Sequence, residues 1–184
     1  ETKQILRLIY RNADRLLKLV NQLLDFRKID VQGDTLVLST GDIVPFVRDV
    51  AYSFKELSEQ KHIRFSFSSV FTSLPMRFDT DKVFKIVSNL LSNAFKFTPE
   101  GGMITVTLSL LPDKEGRNKL LIEVSDSGIG IPADKQEAIF DRFYQVSSSD
   151  KGNPVMGTGI GLHLCREFVR MHQGSIAIKS QPGV

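Results

Sequence analysis

Leu6, Ile9, Ala13, Leu16, Val20 and Leu23 recur at alternating steps of three and four through residues 1–30, a heptad seam that Tyr10, Leu17 and Leu24 widen. The spacing predicts one long helix whose apolar stripe is too wide for a single helix to bury. Partner helices must cover it. No second heptad segment follows, so they come from sequence outside this chain or from another copy of it. The alternative is a helix folded back on its own domain, against which Gly33 and Asp34 speak by breaking the chain straight after it.

Beyond Gly33 the period switches repeatedly between helix and strand. Residues 35–40 read as a strand. Asp42 can cap a helix with Pro45 in its first turn, running to about Lys61. Residues 62–68 alternate, with Ile63, Phe65 and Phe67 on one face, and 74–78 form a shorter strand. Asp79 and Thr80 offer a cap for a helix to about Phe97, stopped by Thr98-Pro99 and Gly101-Gly102. Residues 103–110 and 120–124 are predicted as neighbouring strands joined by a turn over 112–118. Regular pattern then fades from Asp126 to Thr158, apart from a short helix around 135–140; so long a stretch is usually a lid or binding loop. A last helix spans about 160–171, and residues 176–179 begin a final strand.

Composition narrows the class without deciding the function. The chain has 184 residues, 41% hydrophobic and 24% charged, which fits one domain plus an extension and excludes disorder. No apolar run approaches the roughly 20 residues of a membrane span. Of the net charge of +3, all sits in residues 1–30, where seven basic groups face four acidic ones and 17 of each remain beyond. That balance argues against a nucleic-acid groove. The first residues carry no Met and no signal-like pattern, so the chain reads as part of something longer. A lone Cys165 cannot make an internal disulfide; it falls among Ile160, Leu164, Phe168 and Val169 on an apolar helix face, which predicts burial.

Three features can carry chemistry. On the helix 80–97, Val83, Ile86, Val87, Leu90, Leu91 and Ala94 share one face, and Asn89, Asn93 and Lys96 fall within about 60° of each other on another. Two carboxamides and an ammonium on one stripe are either a solvated face or a site where Asn93 ligates a hard cation and Lys96 meets phosphate oxygens. The run Asp126-Ser127-Gly128-Ile129-Gly130-Ile131-Pro132 is either an Asp-capped turn or a place where backbone passes close to a flat ligand and the carboxylate accepts from an exocyclic amine. The run Gly157-Thr158-Gly159-Ile160-Gly161-Leu162 opens a helix, whose N-H groups suit an anion. It lacks the ending of a Walker loop and the setting of a dinucleotide fingerprint.

Taken in order, Asn89-Leu-Leu-Ser-Asn93-Ala-Phe-Lys96-Phe-Thr98-Pro99, Asp126-Ser-Gly128-Ile-Gly130, Phe140-Asp-Arg-Phe143 and Gly157-Thr-Gly159-Ile-Gly161-Leu resemble the N box, first glycine box, F box and second glycine box of the ATP-binding domain of sensor histidine kinases. The stretch Arg15-Leu-Leu-Lys-Leu-Val-Asn-Gln-Leu-Leu-Asp-Phe-Arg-Lys-Ile-Asp30 is similar to the second helix of that family's dimerisation and phosphotransfer hairpin, most like the hybrid kinases of gut Bacteroidetes.

The resemblance implies an α/β two-layer sandwich of a mixed β-sheet and three helices, the Bergerat-type fold, over residues 32–184 with its last strand incomplete. Residues 1–31 would be the second hairpin helix. It implies a protein-histidine kinase that binds ATP and Mg²⁺ and transfers the γ-phosphoryl group. Asn93 would ligate Mg²⁺ with Asn89 beside it, Lys96 would contact phosphates, and Asp126 would accept from the adenine amine. Gly128, Gly130 and Ile131 would lie by the base. Gly157, Thr158, Gly159, Gly161 and Leu162 would shape the lid hinge and meet the phosphates. Phe140 and Phe143 would anchor the lid to the body. Phe97 stands where relatives often carry a ring with a polar handle. Gln145 stands where many carry an Arg, so Arg142 or Lys151 would have to supply that charge.

Related ATPases of topoisomerases and chaperones place a Glu where Asn89 stands here. A carboxamide cannot activate water, so hydrolysis should be slow and ATP kept for transfer. His62, His163 and His172 lack the family's acceptor context, so the acceptor histidine is expected upstream of Glu1. Implied partners are a second copy through the N-terminal helix bundle, a response-regulator receiver domain and an upstream sensor domain. The implied location is cytoplasmic, with the full-length protein anchored in the inner membrane. The rival readings are a non-catalytic nucleotide-binding and dimerisation module and an anti-sigma-type serine kinase, the latter disfavoured by the heptad helix.

Overall fold

The computed structural model describes residues 2–32, 35–112, 116, 118–145 and 158–182. The heptad segment is one helix, α1 (Thr2–Gln32). Along it Leu6, Ile9, Leu16, Val20 and Leu23 stand 50–62% exposed, so the body does not cover the seam. Toward its end α1 packs inward, through Phe26 and Ile29. Among the described residues no helix is long and apolar enough to cross a membrane.

Two aspartates then start two helices. Asp42 ends β1 (Ser39–Asp42) and caps α2 (Ile43–Tyr52), its Oδ1 accepting from Val44 N at 3.0 Å. The Leu74 N-H, at 3.0 Å on the same oxygen, is the leading cause that holds this carboxyl below its ordinary range. Asp79 follows β3 (Pro75–Phe78) and caps α4 (Thr80–Phe97) through Lys82 N at 3.0 Å. Such caps satisfy helix-end donors that burial would otherwise leave unpaired.

Between them lie α3 (Lys55–Gln60) and β2 (Arg64–Ser69); after α4 come β4 (Met103–Pro112), β5 (Asn118–Asp126) and α5 (Gly161–Met171). Parallel β2–β4 and antiparallel β4–β5 make a mixed sheet of order β2-β4-β5, and β1 pairs antiparallel with β3. Strand alternation explains the layers. Ile104, Val106 and Leu108 of β4 are fully buried, whereas Thr105 and Thr107 face outward within reach of the Ser66 and Ser68 hydroxyls. Val87, Leu91, Ala94 and Phe95 of α4 meet them from the other layer, and each fully buried aliphatic contributes about 1.5–3 kcal/mol. A second cluster, Ile86 with Ile160, Leu164, Cys165 and Phe168, joins α4 to α5. Among the described residues of the body, α2, α4 and α5 are the three helices of ten residues or more.

Four predicted elements differ. The strand expected over 35–40 begins only at Ser39, because Val37 N donates to Asp79 at 2.9 Å and Thr35 O accepts from Lys82 at 3.1 Å, leaving those backbone groups bonded to side chains rather than to a ladder. The single helix expected to Lys61 is broken at Ser53-Phe54. Ser53 Oγ bonds the Val50 carbonyl at 2.7 Å, and the Phe54 ring stacks on Phe95 at 5.6 Å. Residues 176–179 form no ladder; just beyond them the Ser180 hydroxyl and carbonyl are held by Ile131 N and Gln136 Nε2, each at 2.8 Å. The predicted helix near 135–140 is two 3₁₀ turns, Ala133–Lys135 and Ala138–Phe140.

Candidate functional site

Helix α4 carries the candidate stripe because its opposite face is consumed by the core. Val83, Ile86, Val87, Leu91 and Ala94 are buried and Leu90 is half-buried, so Asn89 and Asn93 are left half-buried and Lys96 exposed. Lys96 Nζ lies 4.6 Å over the Phe97 ring. Asn89 faces the first residue of α5: a Cβ on Gly161 would lie 2.6 Å from Asn89 Nδ2 and closer still to its Oδ1. Glycine at 161 is therefore what lets the carboxamide meet the start of α5.

At the C-terminal end of α4, Phe97 O accepts from Ile129 N at 3.3 Å, which ties the helix end to the turn after β5. Asp126 is exposed at the end of β5, and its Oδ1 accepts from Gly128 N at 2.9 Å. Ser127 fastens the turn to β4, its N-H donating to Met103 O at 3.0 Å and its Oγ accepting from Met103 N at 2.8 Å. Ile131 is half-buried and held by Ser180. Gly130, at φ +70°, sits against Gln181 and Pro182. Asn89 and Phe97 are eight residues apart, about 12 Å along the helix, so the Asp126 turn and the start of α5 flank the two ends of the amide stripe.

The F-box residues part company. Phe140 is buried, as expected, but Phe143 is 60% exposed and does not anchor to the body. Its backbone explains this. Phe143 has φ +62° and donates its N-H to Gly159 O at 3.0 Å, and Gly159, at φ +69°, comes so close that a Cβ there would lie 2.6 Å from the Phe143 carbonyl carbon. The ring turns instead to Phe26 of α1, edge to face at 6.2 Å. Arg142 lies over the same Phe26 ring at 4.9 Å. Thr158 Oγ1 accepts from Ile160 N at 3.2 Å and donates to Gln22 Oε1 of α1 at 2.9 Å. Leu162 is half-buried in the first turn of α5. Gly157 and Lys151 lie outside the described residues.

His163 is buried beneath this contact, its ring 6.1 Å from Phe26, and desolvation pushes it below the ordinary histidine range. Lys85 of α4 reaches Asp25 at 2.9 Å and Asp81 at 2.8 Å; desolvation opposes its charge, but these carboxylates outweigh it and raise its pKa. Sequence reasoning missed Gln22, Asp25 and Phe26. A signal existed: after Leu23 the heptad steps give way to Phe26 and Ile29 at successive threes, which turns the stripe toward a different neighbour. It also missed the buried pair Asp79–Lys82, 3.2 Å apart. Burial pushes the Asp79 carboxyl up, but the N-H groups of Lys82 and Val37 and the Lys82 ammonium hold it below 3.8 overall. His172 Nε2 accepts from Asp79 N at 3.2 Å, so it is an N-cap partner on the α4 side.

Residues 78–184 match the family of histidine kinase-, DNA gyrase B- and HSP90-like ATPases. The sensor histidine kinase TmoS of Ectopseudomonas mendocina is 41% identical over 95% of this chain, and the hybrid signal transduction histidine kinase D of Dictyostelium discoideum 39% over 94%. The chain spans only 17% and 11% of those proteins. Full-length ShkA in complex with AMPPNP aligns with a TM-score of 0.79 at 26% identity, covering 94% of this chain and 34% of ShkA. The chain belongs to the histidine kinase-, DNA gyrase B- and HSP90-like ATPases, as an ATP-binding domain of the kind that sensor histidine kinases carry.

Proposed function

We propose that the chain holds Mg-ATP along the amide stripe of α4 and that the γ-phosphoryl group passes to a histidine on a dimerisation helix, the reaction of a protein histidine kinase in a two-component system. The observation that carries this reading is the frame itself: one helix presents Asn89, Asn93 and Lys96, with the Asp126 turn tied to its C-terminal end and the start of α5 against Asn89. Asp126 would accept from the adenine amine, its orientation set by the Gly128 N-H. Lys96 and Arg142 would neutralise phosphate charge. Positioning and charge neutralisation are most of what phosphoryl transfer asks of a protein.

The residues present fit a magnesium ion. Among the described residues no three His, Cys, Asp or Glu side chains are grouped for a metal, and the half-buried Asn93 amide offers one hard oxygen. Magnesium ordinarily combines one or two protein oxygens with waters and substrate phosphates. When bound, it would supply charge neutralisation between phosphate oxygens.

The acceptor is a histidine other than the three present. His163 is buried, and His172 is engaged through both ring nitrogens, Nδ1 with Phe168 O at 2.7 Å and Nε2 with Asp79 N. His62 sits at φ +51° in the turn before β2. The uncovered seam of α1 supports a second copy as its partner, in a dimeric helix bundle; a receiver domain would take the phosphoryl group onward. Labelled ATP supplied with a dimerisation hairpin bearing the acceptor histidine tests the reading. Acid-labile phosphate on the hairpin is the expected result, and nucleotide binding without transfer would favour the non-catalytic module.

A further inference from the structure

Strand β2 lies at one edge of its sheet, paired with β4 alone. Along a strand the backbone N-H and C=O groups point alternately to one side and the other. Two bonds fix the phase: Arg64 N donates to Gly102 O at 2.9 Å and, just past the strand, Val70 N donates to Leu108 O at 3.1 Å. The backbone groups of even positions therefore face β4, and those of odd positions face away. Ile63, the odd residue before the strand, gives its N-H to Ser58 O of α3 at 2.9 Å. Beyond it, among the described residues, nothing bonds the outward backbone groups of Phe65 and Phe67. Free edges are ordinarily blunted by charge, proline or a bulge. After Arg64, residues 65–69 hold no charge and no proline, and their register with β4 is unbroken.

Beside this edge the end of α2 and α3 leave a cavity of about 400 Å³, lined by Tyr52, Lys55, Ser58, Glu59 and Phe65. Phe65 and Tyr52, whose ring lies 6.4 Å from that of Phe67, give it aromatic walls, while Lys55 and Glu59 bring exposed charges. We infer that β2 is a docking edge for an extended segment of another protein, which adds as a strand and seats a tyrosine in this cavity. Unpaired N-H and C=O groups at two-residue spacing match an extended backbone. A residue paired opposite Phe65 projects to the same face as the Phe65 ring, toward the cavity. A tyrosine there lays its ring against Tyr52 and Phe65 and brings its hydroxyl to Lys55 and Glu59. A second copy of β2 does not suit the place. Its Phe65 and Phe67 are packed on its own core and its Ser66 and Ser68 face the other side, so it has no side chain to fill the cavity.

Hydrogen exchange of this chain with a capped heptapeptide of alternating threonine and valine around a central tyrosine tests this. In the free chain the Phe65 and Phe67 amides should exchange fast and those of Ser66 and Ser68 slowly. Saturating peptide should slow Phe65 and Phe67 at least about tenfold. N-methylation of the alternate peptide amides that face β2 should weaken binding about two- to tenfold for each bond lost, whereas methylation of the other set should leave it unchanged. Replacing the central tyrosine by alanine, or Tyr52→Ala in the chain, should each weaken binding at least about threefold. Protection of Phe65 and Phe67 that grows with protein concentration and needs no peptide would give the edge to a second copy and overturn the inference. So would the absence of saturable binding at millimolar peptide, or binding indifferent to which amides are methylated.

Discussion

Lys82→Met removes one half of a buried ion pair. The Lys82 and Asp79 side chains are 7% and 4% exposed, their charges 3.2 Å apart, and Lys82 Nζ also donates to Thr35 O at 3.1 Å. Breaking a buried pair by deleting one partner costs about 3–5 kcal/mol, because the remaining charge stays out of water. Here Asp79 keeps the N-H groups of Lys82 and Val37, which places the expected loss near the lower end, about 3 kcal/mol. Urea unfolding at pH 7 and equal protein concentration reads it as a fall in midpoint at constant slope. The sign of the pH dependence is fixed. In the wild type the folded Asp79 pKa lies below 3.8, so its contribution is complete above that pH and is lost as pH falls through the lower folded value. In the variant desolvation is opposed by the N-H groups of Lys82 and Val37 without the ammonium, the carboxyl titrates higher than in the wild type, and the deficit shrinks as pH is lowered from 7 toward 4. Asp79→Asn combined with Lys82→Met keeps a cap acceptor without the charge and should recover much of the loss. A deficit below about 0.5 kcal/mol, or one constant from pH 7 to pH 4, would refute the buried-pair account.

Two further outcomes follow from the same geometry. Gly159→Ala puts a Cβ against the Phe143 backbone at φ +69°, so thermal unfolding should show a loss of at least about 1–2 kcal/mol from backbone conformation alone, with the Phe143–Phe26 contact displaced. Burial pushes the Cys165 thiol up to about 12 from 9.0. The unfolded thiol ionises first, so stability should fall by up to about 1.4 kcal/mol per pH unit above pH 9, and Cys165→Ala should flatten that slope in alkaline denaturation.

The elements that sequence periodicity captured are those in which each residue has a local reason. Helix α4 is an example: Asp79 caps it, its apolar positions recur at helical spacing, and Thr98-Pro99 ends it. The alternation in β2 and β4 is equally local. What escaped depends on contacts across the chain. Residues 35–38 have strand-like composition, yet their backbone is spoken for by a side-chain pair 42–47 positions away. Phe54 leaves the helix line because a ring on α4 offers a stacking partner. At the site, the order of motifs made α4, the Asp126 turn and the start of α5 legible together. The direction of Phe143 was not, since apolar character predicts a covered ring, whereas this one stands 60% exposed and is turned toward Phe26 by its backbone. Gly161 had two adequate reasons to be glycine, an anion and a neighbour; the neighbour, Asn89, becomes visible only once α4 and α5 are packed.

The most direct test is heat. Titrating ATP with magnesium into the purified chain should give saturable, one-site binding, and Asp126→Asn, which converts an acceptor oxygen into an N-H donor facing an amine, should weaken it at least tenfold, about 1.4 kcal/mol, while leaving the unfolding midpoint within a degree or two. No heat from ATP or ADP, or equal affinity in the Asp126→Asn protein, would contradict an adenine nucleotide on the α4 stripe.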